Sequence, residues 1–404
     1  MEFFEENPDH ISQADIVVGI PSLNEARLIP YPTQQASLGL RQYFSDKRSV
    51  IVNFDNSSTD GTKEAFLGTE TEVPKVYVST PPGVKGKGNN VRNFFQKACE
   101  LGAKACIIVD ADLKSITPRW IKNLADPLFQ DFGFVAPLYV RHKYDGTITN
   151  SIAYPLIRSV YGRRVRQPIG GDFGFTGDLA RIYLEHPIWD DRVADFGIDL
   201  WMTTIAICHN IPICQSFLGR PKIHKMKTTG GGVAPIFQEV VGTFFSMMNY
   251  FDSFWRWIRW SKPTAIFGFG LGEVELPPPV EVDKNSVYIR FHQAIDDYAD
   301  VWKYILGPEV FSKLGEVIET DASRFDFPSD LWAKVLFAYA IAYHRKQSDL
   351  ENILDSLIPL YYASVYSYVL KTEEMSTQQA EEYIEEQCMV FEEARSYLDE
   401  RWGS

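Results

Sequence analysis

The stretch ACIIVDAD, from Ala105 to Asp112, decides the fold class. Its first five residues, Ala105 to Val109, form an apolar run whose length and composition are typical of a buried strand. The run ends in two carboxylates one residue apart, Asp110 and Asp112. One interpretation is that an Asp caps a helix beginning at Pro118, because Asp is a good cap and turn residue. The other is a divalent metal site at the end of the strand.

Three further apolar runs precede this one, and helix-like segments such as Asn89 to Leu101 separate the runs. They are DIVVGIP (Asp15 to Pro21), SVIVNFD (Ser49 to Asp55) and KVYVST (Lys75 to Thr80). This alternation predicts an α/β fold, a Rossmann-like and mostly parallel sheet with helices on both faces. Ligands bind at the carboxyl ends of strands in such sheets, and polar or turn residues follow these runs.

Elements further along the chain complete the predicted architecture. We expect a strand at Gly133 to Tyr139 and a helix around Asn150 to Tyr161. After KMKTTGGGVAP (Lys225 to Pro235) the composition becomes aromatic and typical of helices. The proline-rich stretch Val274 to Val282 then interrupts this pattern, and a helical pattern continues from Ser286 onward. The sequence therefore predicts two domains, an α/β domain over 1–235 and a mainly helical domain over 236–404.

The net charge and the cysteine content indicate which kinds of partner and which cellular compartment to expect. The chain of 404 residues has 40 Lys and Arg against 53 Asp and Glu, a net charge of −13, which argues against a nucleic acid as the main partner. The five cysteines are odd in number and lack close CxxC pairs, and the acidic N-terminus has no basic and apolar leader. We expect a reducing, cytoplasmic environment.

No stretch has the roughly 18 uncharged apolar residues of a membrane span, so we expect no transmembrane segment. The nearest is Val240 to Ile258, which carries Asp252 and Arg256. We interpret it as a buried aromatic helix or an interdomain face, with contact to a membrane surface as the alternative. The aromatic residues of the helical C-terminal part, such as Trp332 and Tyr339, have helical spacing typical of a core.

Two carboxylates at a strand end supply oxygen ligands, which suit Mg²⁺ or Mn²⁺ bridging a diphosphate. Such a site needs more ligands, and His224 in GRPKIHKMK is a candidate because Mn²⁺ tolerates an imidazole. The alternative for a single histidine is an ordinary surface or core residue.

The loop GVKGKGNNVRN, Gly83 to Asn93, is glycine-rich and basic and leads into a helix, as a phosphate-binding element does. It lacks the spacing of a Walker A loop, so a nucleotide-hydrolysing P-loop is disfavoured. Lys85 and Lys87 are candidates to contact a diphosphate or a base, and the alternative is a solvated surface loop.

Asp55 in FDNSSTDGT stands at the end of a predicted strand, where an acid can accept hydrogen bonds from a base or ribose. Ser58 or Thr59 as the cap of a short helix is the simpler interpretation of the same motif. The position of Asp55 favours a role in ligand binding.

Taken together, GIPSLNEA, FDNSSTDGT, GKGNNVR and VDADL, in this order and spacing, resemble the nucleotide-diphospho-sugar domain of GT-A glycosyltransferases. In the middle of the chain, YPLIRSVYGRRVRQPIGGDFGFTGDL, DFGIDLWMTT and GRPKIHK resemble the retaining glycosylglycerate synthases, which include glucosyl-3-phosphoglycerate synthase and mannosylglycerate synthase. The resemblance covers roughly residues 15 to 230. It implies a metal-dependent hexosyltransferase that uses a nucleotide-diphosphate sugar such as UDP-glucose or GDP-mannose.

The resemblance also implies roles for individual residues. Asp112 and His224 would be metal ligands, and Lys87 would lie beside the diphosphate. Catalytic candidates are Lys87, Asp172 and Asp199, the last of which would hold sugar hydroxyls or the acceptor. The positions implied to contact the nucleotide sugar are Pro21, Leu23, Glu25, Asp55, Lys87, Asp110, Ala111, Gly170 and Gly171.

One departure from the family pattern concerns the acceptor. The phosphoglycerate enzymes carry G-R-x-T before the helix, where the Arg meets the acceptor's phosphate, whereas this sequence has Gly146-Thr147-Ile148-Thr149. The missing charge favours glycerate or another small hydroxy acid over its phosphate. We expect Arg141, Thr147, Thr149 and Asp199 to bind the acceptor. Candidates to compensate for the missing charge are Arg141, Lys143, Arg163, Arg164 and Arg166.

Three other functions remain open at this stage. In a polyprenyl-phosphate sugar transferase, the aromatic segment Phe244 to Trp260 would lie on a membrane. A sugar-nucleotide-binding protein without turnover would serve as a sensor or scaffold. A nucleotidyltransferase is disfavoured, because its glycine-rich loop after the first strand is replaced by Pro21 to Glu25. We expect a homodimer, with the helical C-terminal part either closing over the acceptor or forming the dimer surface.

Overall fold

A computed structural model describes residues 4–224, 233–268, 275–346 and 349–403. The chain divides into two compact units. The first, here called the sheet unit, comprises Met1–Arg141, Val165–Lys227 and Thr264–Pro277. The second, the helical unit, comprises His142–Arg164, Thr228–Pro263 and Pro278–Ser404. Residues 225–232 of the predicted KMKTTGGGVAP transition, and Val274 of the proline-rich stretch, lie outside the described residues.

The described part of the sheet unit contains one nine-stranded sheet in the order β1-β4-β3-β2-β5-β7-β6-β8-β9. The strands are β1 (Phe4–Glu6), β2 (Ile16–Ser22), β3 (Ser49–Asp55), β4 (Lys75–Ser79), β5 (Ala105–Ile108), β6 (Phe134–Val140), β7 (Phe173–Thr176), β8 (Ile213–Pro221) and β9 (Ala265–Phe267). The pairs of β1 with β4 and of β7 with its two neighbours are antiparallel, and the other pairs are parallel. The mostly parallel sheet predicted from the sequence is confirmed.

The register of the parallel strands aligns their carboxyl ends. Ser22, the last residue of β2, pairs with Asp55, the last residue of β3, which in turn pairs with Ser79 at the end of β4. These strands are buried almost throughout, because helices cover them. The polar residues that follow β2, β3 and β5 therefore meet at one edge of the sheet.

Helices of the sheet unit connect these strands. They are α1 (Pro30–Tyr43), α2 (Thr62–Gly68), α3 (Lys87–Glu100), α4 (Pro118–Ala125), α6 (Gly177–Glu185) and α7 (Ile198–Cys208). The N-cap of α4 is Thr117, so neither Asp110 nor Asp112 caps the helix that begins at Pro118. The capping interpretation of the two carboxylates is therefore wrong.

The helical unit begins with a π-helical turn, Thr149–Ala153, that leads into α5. Its helices are α5 (Tyr154–Tyr161), α8 (Val233–Tyr250), α9 (Asp252–Trp255), α10 (Lys284–Gln293), α11 (Ile295–Ile318), α12 (Ser329–Arg345), α13 (Leu350–Thr372), α14 (Thr377–Glu393) and α15 (Arg395–Trp402). The predicted aromatic helix exists as α8, with Phe244 and Phe245 in the core. Beyond α9, however, Trp257 and Trp260 are exposed.

The two units differ from the predicted division at residue 235 in two places. Residues 142–164 belong to the helical unit, where α5 packs against α14. Residues 264–277 return to the sheet unit, because β9 pairs in parallel with β8 and extends the sheet. Helix packing in the first case and strand pairing in the second, each between segments distant in sequence, explain why a single boundary does not describe the chain.

Among the described residues, one helix, α13, is long and apolar enough to cross a membrane. Its most apolar window is 83% buried inside the structure. A core helix of a globular protein has the same properties, so α13 is weak evidence for a membrane span.

Candidate functional site

Asp110 lies two residues beyond β5, between two lysines that come from distant parts of the chain. Its Oδ1 is 3.1 Å from Nζ of Lys87, the first residue of α3. Its Oδ2 is 2.7 Å from Nζ of Lys222, which follows β8. Two cations offset the charge of this carboxylate, so Asp110 is poorly suited to bind a metal directly.

Asp172 forms a second layer behind Asp110. Its Oδ1 accepts the backbone N–H of Asp110 at 3.0 Å, and its Oδ2 lies 2.9 Å from Nζ of Lys222 and accepts the hydroxyl of Tyr139. The side chain is fully buried. Because Asp172 has no exposed surface, it cannot contact a substrate in this structure. We therefore regard it as a residue that positions Asp110, and no longer as a catalytic candidate.

Lys87 joins Asp110 to Asp199, which lies in the first turn of α7. The distance from Nζ of Lys87 to Oδ2 of Asp199 is 3.2 Å. Both side chains keep a small exposed fraction, 15% for Lys87 and 14% for Asp199. Two of the three catalytic candidates are therefore in contact and accessible.

The charges of this network have opposing effects on its pKa values. Burial by itself lowers the pKa of Lys87, but the carboxylates of Asp110 and Asp199 outweigh it and raise that pKa above its usual value. Burial raises the pKa of Asp199 and of Asp172. Asp110 is also desolvated, but Lys222 and Lys87 hold its pKa well below the usual range. Burial also lowers the pKa of Lys222, but Asp110 and Asp172 outweigh it and raise that pKa. Both lysines therefore stay charged at neutral pH, and Asp110 stays ionised.

Gly170 and Gly171 lie against this network. Gly171 has φ +84°, and a Cβ there would lie 2.6 Å from Oδ2 of Asp110 and 2.9 Å from Nζ of Lys222. The carbonyl oxygen of Gly170 accepts hydrogen bonds from Lys222 at 2.8 Å and from Tyr139 at 3.0 Å. Only glycine allows the backbone to come this close to the charged groups.

Two glycines of GVKGKGNNVRN allow close packing against another segment of the sheet unit. A Cβ on Gly86 would lie 2.3 Å from the carbonyl oxygen of Ala194, and a Cβ on Gly88 would lie 1.9 Å from that of Val193. The backbone N–H of Asn89 donates to Ala194, and that of Lys87 donates to Asp195. The N–H groups of Lys87 and Asn89 at the start of α3 are thus bonded to protein and are not available to a phosphate. The loop's contribution to the site is the side chain of Lys87.

Asp55, which we expected to contact the nucleotide, is fully buried. Its Oδ1 accepts the hydroxyls of Ser22 at 2.7 Å and Ser58 at 2.6 Å, and its Oδ2 accepts the backbone N–H of Ser58 at 2.6 Å and the hydroxyl of Tyr77 at 2.9 Å. Four bonds occupy the lone pairs of a carboxylate. Asp55 thus orders the loops after β2 and β3, and we place it outside the lining of the pocket.

Of the other residues expected in the nucleotide pocket, three lie at or after the end of β2 and one, Ala111, lies after β5. Pro21 is half-buried, Leu23 is 42% exposed, and the backbone N–H of Glu25 donates to Thr62 at 2.9 Å. Ala111 is buried and its side chain belongs to the hydrophobic core, so only its backbone is suited to contact a ligand.

The segments that carry Asp112 and His224 run side by side. The backbone N–H of Lys114 donates to the carbonyl oxygen of Ile223 at 2.8 Å, and the N–H of Ile223 donates to Oγ of Ser115 at 2.9 Å. Asp112 and His224 are both half-buried. Among the described residues no group of three or more His, Cys, Asp or Glu side chains could hold a metal ion. A cation here would need oxygen ligands from a substrate or water in addition to these two residues, as Mg²⁺ sites commonly have.

The predicted acceptor residues divide between the units. In the sheet unit, the guanidinium of Arg141 lies over the ring of Tyr139, 5.3 Å from its centroid. In the helical unit, Thr147 shares a hydrogen bond of 2.6 Å with the hydroxyl of Tyr361, and Thr149 is buried at the start of the π-helical turn. Thr147 also lines a cavity of the helical unit whose other polar groups include Asn150 and Ser364.

Lys143 does not compensate for the missing acceptor arginine. Its Nζ donates to three backbone carbonyl oxygens at the end of α13, those of Thr372 at 2.6 Å, Glu373 at 2.8 Å and Met375 at 2.7 Å. An ammonium group has three donors, so Lys143 is fully used in capping this helix. Arg164 donates to Oγ of Ser261 at 2.9 Å and also has a structural partner.

The sequence interpretation missed Lys222, Tyr139 and Asp195. Lys222 stands two residues before the candidate ligand His224, and this proximity in GRPKIHK was the available signal. Tyr139 ends a predicted strand with its side chain buried, and nothing in the sequence distinguishes it from a core aromatic residue. Asp195 is the first residue of the motif DFGIDLWMTT, in which only Asp199 was assigned a role from the sequence.

No family model matches the chain, and no curated protein matches it. Part of the chain is similar to solved structures of glucosyl-3-phosphoglycerate synthase from Mycobacterium tuberculosis. The complex with Mn²⁺, UDP and glucosyl-3-phosphoglycerate aligns with a TM-score of 0.47 and 20% identity over 58% of this chain and 80% of that chain. The complex with Mn²⁺, UDP-glucose and phosphoglyceric acid has a TM-score of 0.45 and 19% identity over 58% and 79%. The complex with Mg²⁺ and UDP has a TM-score of 0.46 and 20% identity over 58% of this chain and 79% of that chain.

Proposed function

We propose that this chain is a retaining hexosyltransferase that uses a nucleotide-diphosphate sugar and a small hydroxy acid. The observation that carries the proposal is the pairing of Lys87 with both Asp110 and Asp199 at the carboxyl edge of the sheet. Ligands of open α/β sheets bind at this edge. Lys87 and both carboxylates are largely buried but keep some exposed surface, which suits a ligand that carries both phosphate and hydroxyl groups.

A divalent cation, Mg²⁺ or Mn²⁺, is part of the proposal. Asp112 and His224 would hold it, since their segments are hydrogen-bonded side by side and both side chains suit these metals. The cation would offset charge on the diphosphate as it leaves. Asp110, which Lys87 and Lys222 already neutralise, would instead face the ribose or orient the neighbouring ligand.

Lys87 has the properties needed to stabilise a leaving diphosphate. Its pKa is raised, so the ammonium is charged at neutral pH, and its burial strengthens its electrostatic effect. Asp199, on the other side of this lysine, is placed to accept hydrogen bonds from hydroxyls of the sugar or of the acceptor. Lys222 and Asp172 hold Asp110 in position from behind.

Retention of the anomeric configuration fits an attack on the same face of the sugar. A double displacement needs an accessible carboxylate nucleophile. Asp172 is fully buried and hydrogen-bonded on both oxygens, and Asp199 is paired with Lys87. We therefore propose that the acceptor hydroxyl attacks from the side of the leaving group and that a phosphate oxygen of the diphosphate takes its proton.

The acceptor we propose is a hydroxy acid without a phosphate, with glycerate as the first choice. The arginine of the family's acceptor motif is absent, and Lys143 is bonded to three carbonyl oxygens. Arg141, half-buried over Tyr139, is the cation we assign to the acceptor's carboxylate. We place the enzyme in the cytoplasm, which suits the five free cysteines, as a homodimer.

A donor and acceptor screen tests the function. UDP-, GDP- and ADP-hexoses are combined with Mg²⁺ or Mn²⁺ and with glycerate or 3-phosphoglycerate, and the anomeric proton of the product is assigned by NMR. We expect transfer to glycerate with retention, and loss of metal-dependent transfer in Asp112→Ala. An inverted product would contradict the mechanism, and full activity of Asp112→Ala would contradict the metal site.

Calorimetry separates catalysis from the alternative of a sugar-nucleotide-binding protein. Tight binding of a nucleotide sugar with no transfer to either acceptor would assign the site to a sensor or scaffold. Hydrolysis or transfer would exclude that alternative.

A further inference from the structure

Two tryptophans of the helical unit are exposed although they belong to an ordered loop. Trp257 is 79% exposed and Trp260 is 69% exposed. Arg256, Arg259 and Lys262 of the same segment are also exposed. We call residues 256–262 the Trp/Arg loop. Large exposed aromatic side chains are costly to solvate, and contiguous ones commonly mark an interaction surface.

Buried residues anchor the loop on both sides. Before it, Trp255 is fully buried, its indole N–H donates to the carbonyl oxygen of Met248 at 2.8 Å, and the guanidinium of Arg395 lies 4.8 Å from its ring centroid. Near its end, the buried Ser261 donates to Oε1 of Glu392 at 2.6 Å and accepts a bond from Arg164. The anchors determine which side chains of the loop are buried and which are exposed.

The backbone of the loop also packs tightly. Gly162 has φ +67°, and a Cβ there would lie 2.6 Å from Cγ2 of Ile258 and 3.2 Å from the carbonyl oxygen of Trp260. The backbone N–H of Lys262 donates to the carbonyl oxygen of Gly162 at 2.9 Å. With Ile258 facing Gly162 and Ser261 buried, the indoles of Trp257 and Trp260 remain on the solvent side.

The charge of the loop is opposite to that of the whole chain. Three cationic side chains lie within seven residues, whereas the net charge of the protein is −13. Asp399 is an acidic partner of the loop, 4.0 Å from Arg259. The loop therefore presents a local positive charge, which fits an anionic partner.

The size of the surface favours lipid over protein. A stable protein interface buries about 800 Å² on each partner, more than seven residues supply. Insertion of indoles among lipid headgroups needs no complementary pocket, and Trp is enriched at that depth of a membrane. Arg and Lys beside them gain from attraction to anionic lipids.

We propose that the Trp/Arg loop docks the protein on an anionic lipid surface, with Trp257 and Trp260 among the headgroups and Arg256, Arg259 and Lys262 facing lipid phosphates. This proposal is independent of the reaction proposed above, since it concerns residues of the helical unit alone.

Co-sedimentation of the full chain with lipid vesicles tests the proposal. One set of vesicles contains phosphatidylcholine and phosphatidylglycerol in equal amounts, and the other contains phosphatidylcholine only. We expect binding to the anionic set, a shift of tryptophan fluorescence to shorter wavelength, and weaker binding as salt screens the charges. The variant R256Q/R259Q/K262Q should bind about a hundredfold more weakly, and W257S/W260S at least about tenfold more weakly.

Matched control variants test whether the effect on vesicle binding depends on where the charges and aromatic side chains are removed. R181Q/K303Q/K313Q removes the same charge elsewhere, and Y304S removes an aromatic side chain that is 66% exposed on α11. Both should bind vesicles like the unchanged protein. Absence of vesicle binding, or equal loss in the controls, would overturn the proposal. A change from dimer to monomer in W257S/W260S without vesicle binding would overturn it too, because it would assign the loop to a second copy of the chain.

Discussion

Each unit contains a network of ion pairs, and the two networks arrange similar charged groups in different ways. At the sheet edge, Lys87 and Lys222 face three carboxylates, so the network has more negative than positive groups. In the helical unit, Arg158 of α5 pairs with Glu385 and Glu392 of α14, and Tyr154 donates to Glu385 at 2.6 Å.

The spacing of the groups distinguishes the two networks. Tyr154 and Arg158 are one helical turn apart, and Glu385 and Glu392 are two turns apart, so each pair lies on one face of a regular helix. The sheet-edge network combines residues from separate segments: Asp110 follows β5, Lys222 follows β8, and Lys87 and Asp199 lie in the first turns of α3 and α7. Gly171 has no side chain that would clash with Asp110 and Lys222. Regular spacing between helices indicates a structural contact, whereas converging loop residues at a sheet edge indicate a ligand site.

The substitution with the largest expected effect is Lys87→Ala, which removes the cation shared by Asp110 and Asp199. We expect kcat/KM for hexosyl transfer to fall about a thousandfold, the scale of losing one charged group that stabilises a leaving group. Circular dichroism should show the fold retained, because Lys222 still pairs with Asp110. Steady-state kinetics with the donor found in the screen measures the change.

Lys85→Ala is the matched control, since Lys85 is exposed in the same loop. It should lose less than about tenfold, the effect of an exposed and screened charge. If the two variants lost activity equally, the loop's overall charge, and not the position of Lys87, would account for the effect.

Arg158→Met tests the second network and should affect stability more than chemistry. Removing one partner of a buried ion pair typically costs 3–5 kcal/mol, and we expect about 3 kcal/mol because Glu385 is partly exposed. Urea unfolding measures the loss, with the exposed Arg181→Met as control. A fall in kcat of the folded protein as large as that of Lys87→Ala would erase the distinction between the two networks.

The titration of His186 should make a smaller, pH-dependent contribution to the free energy of unfolding. This contribution must be known before stabilities measured at different pH values are compared. Burial, with a contribution from His209, lowers the pKa of His186 from 6.5 to about 4. The unfolded chain therefore binds the proton first as pH falls below 6.5, and stability is lost between pH 6.5 and 4. From pH ~7.5 to ~5.5 this amounts to about 1 kcal/mol of the free energy of unfolding.

His186→Gln removes the titrating group and should flatten this part of the stability profile. Urea unfolding of both proteins at the two pH values gives the difference. An unchanged slope in the variant would mean that other groups dominate the acid dependence of the sheet unit.

Much of the fold followed from local patterns. The apolar runs predicted β2, β3, β4 and β5 close to their observed bounds, because a strand buried on both faces must be apolar over its length. Lys87 and Asp110 were found for a similar reason, as polar residues directly after predicted strands or at the start of a helix. The close packing of Gly86 and Gly88 against Val193 and Ala194 could not be predicted from the loop itself, because those partners are distant in sequence.

By itself, the sequence determined the order of strands and helices along the chain, the sheet edge at which polar residues collect, and the exclusion of a Walker A loop. These depend on burial and spacing within short segments. Only the tertiary structure decided that Lys222 neutralises Asp110, that Asp172 and Asp55 are enclosed, and that Lys143 caps a helix. Several of those outcomes depend on hydrogen bonds between residues far apart in sequence, such as Ser22 and Asp55, which are 33 residues apart. The order of the strands in the sheet brings such partners together.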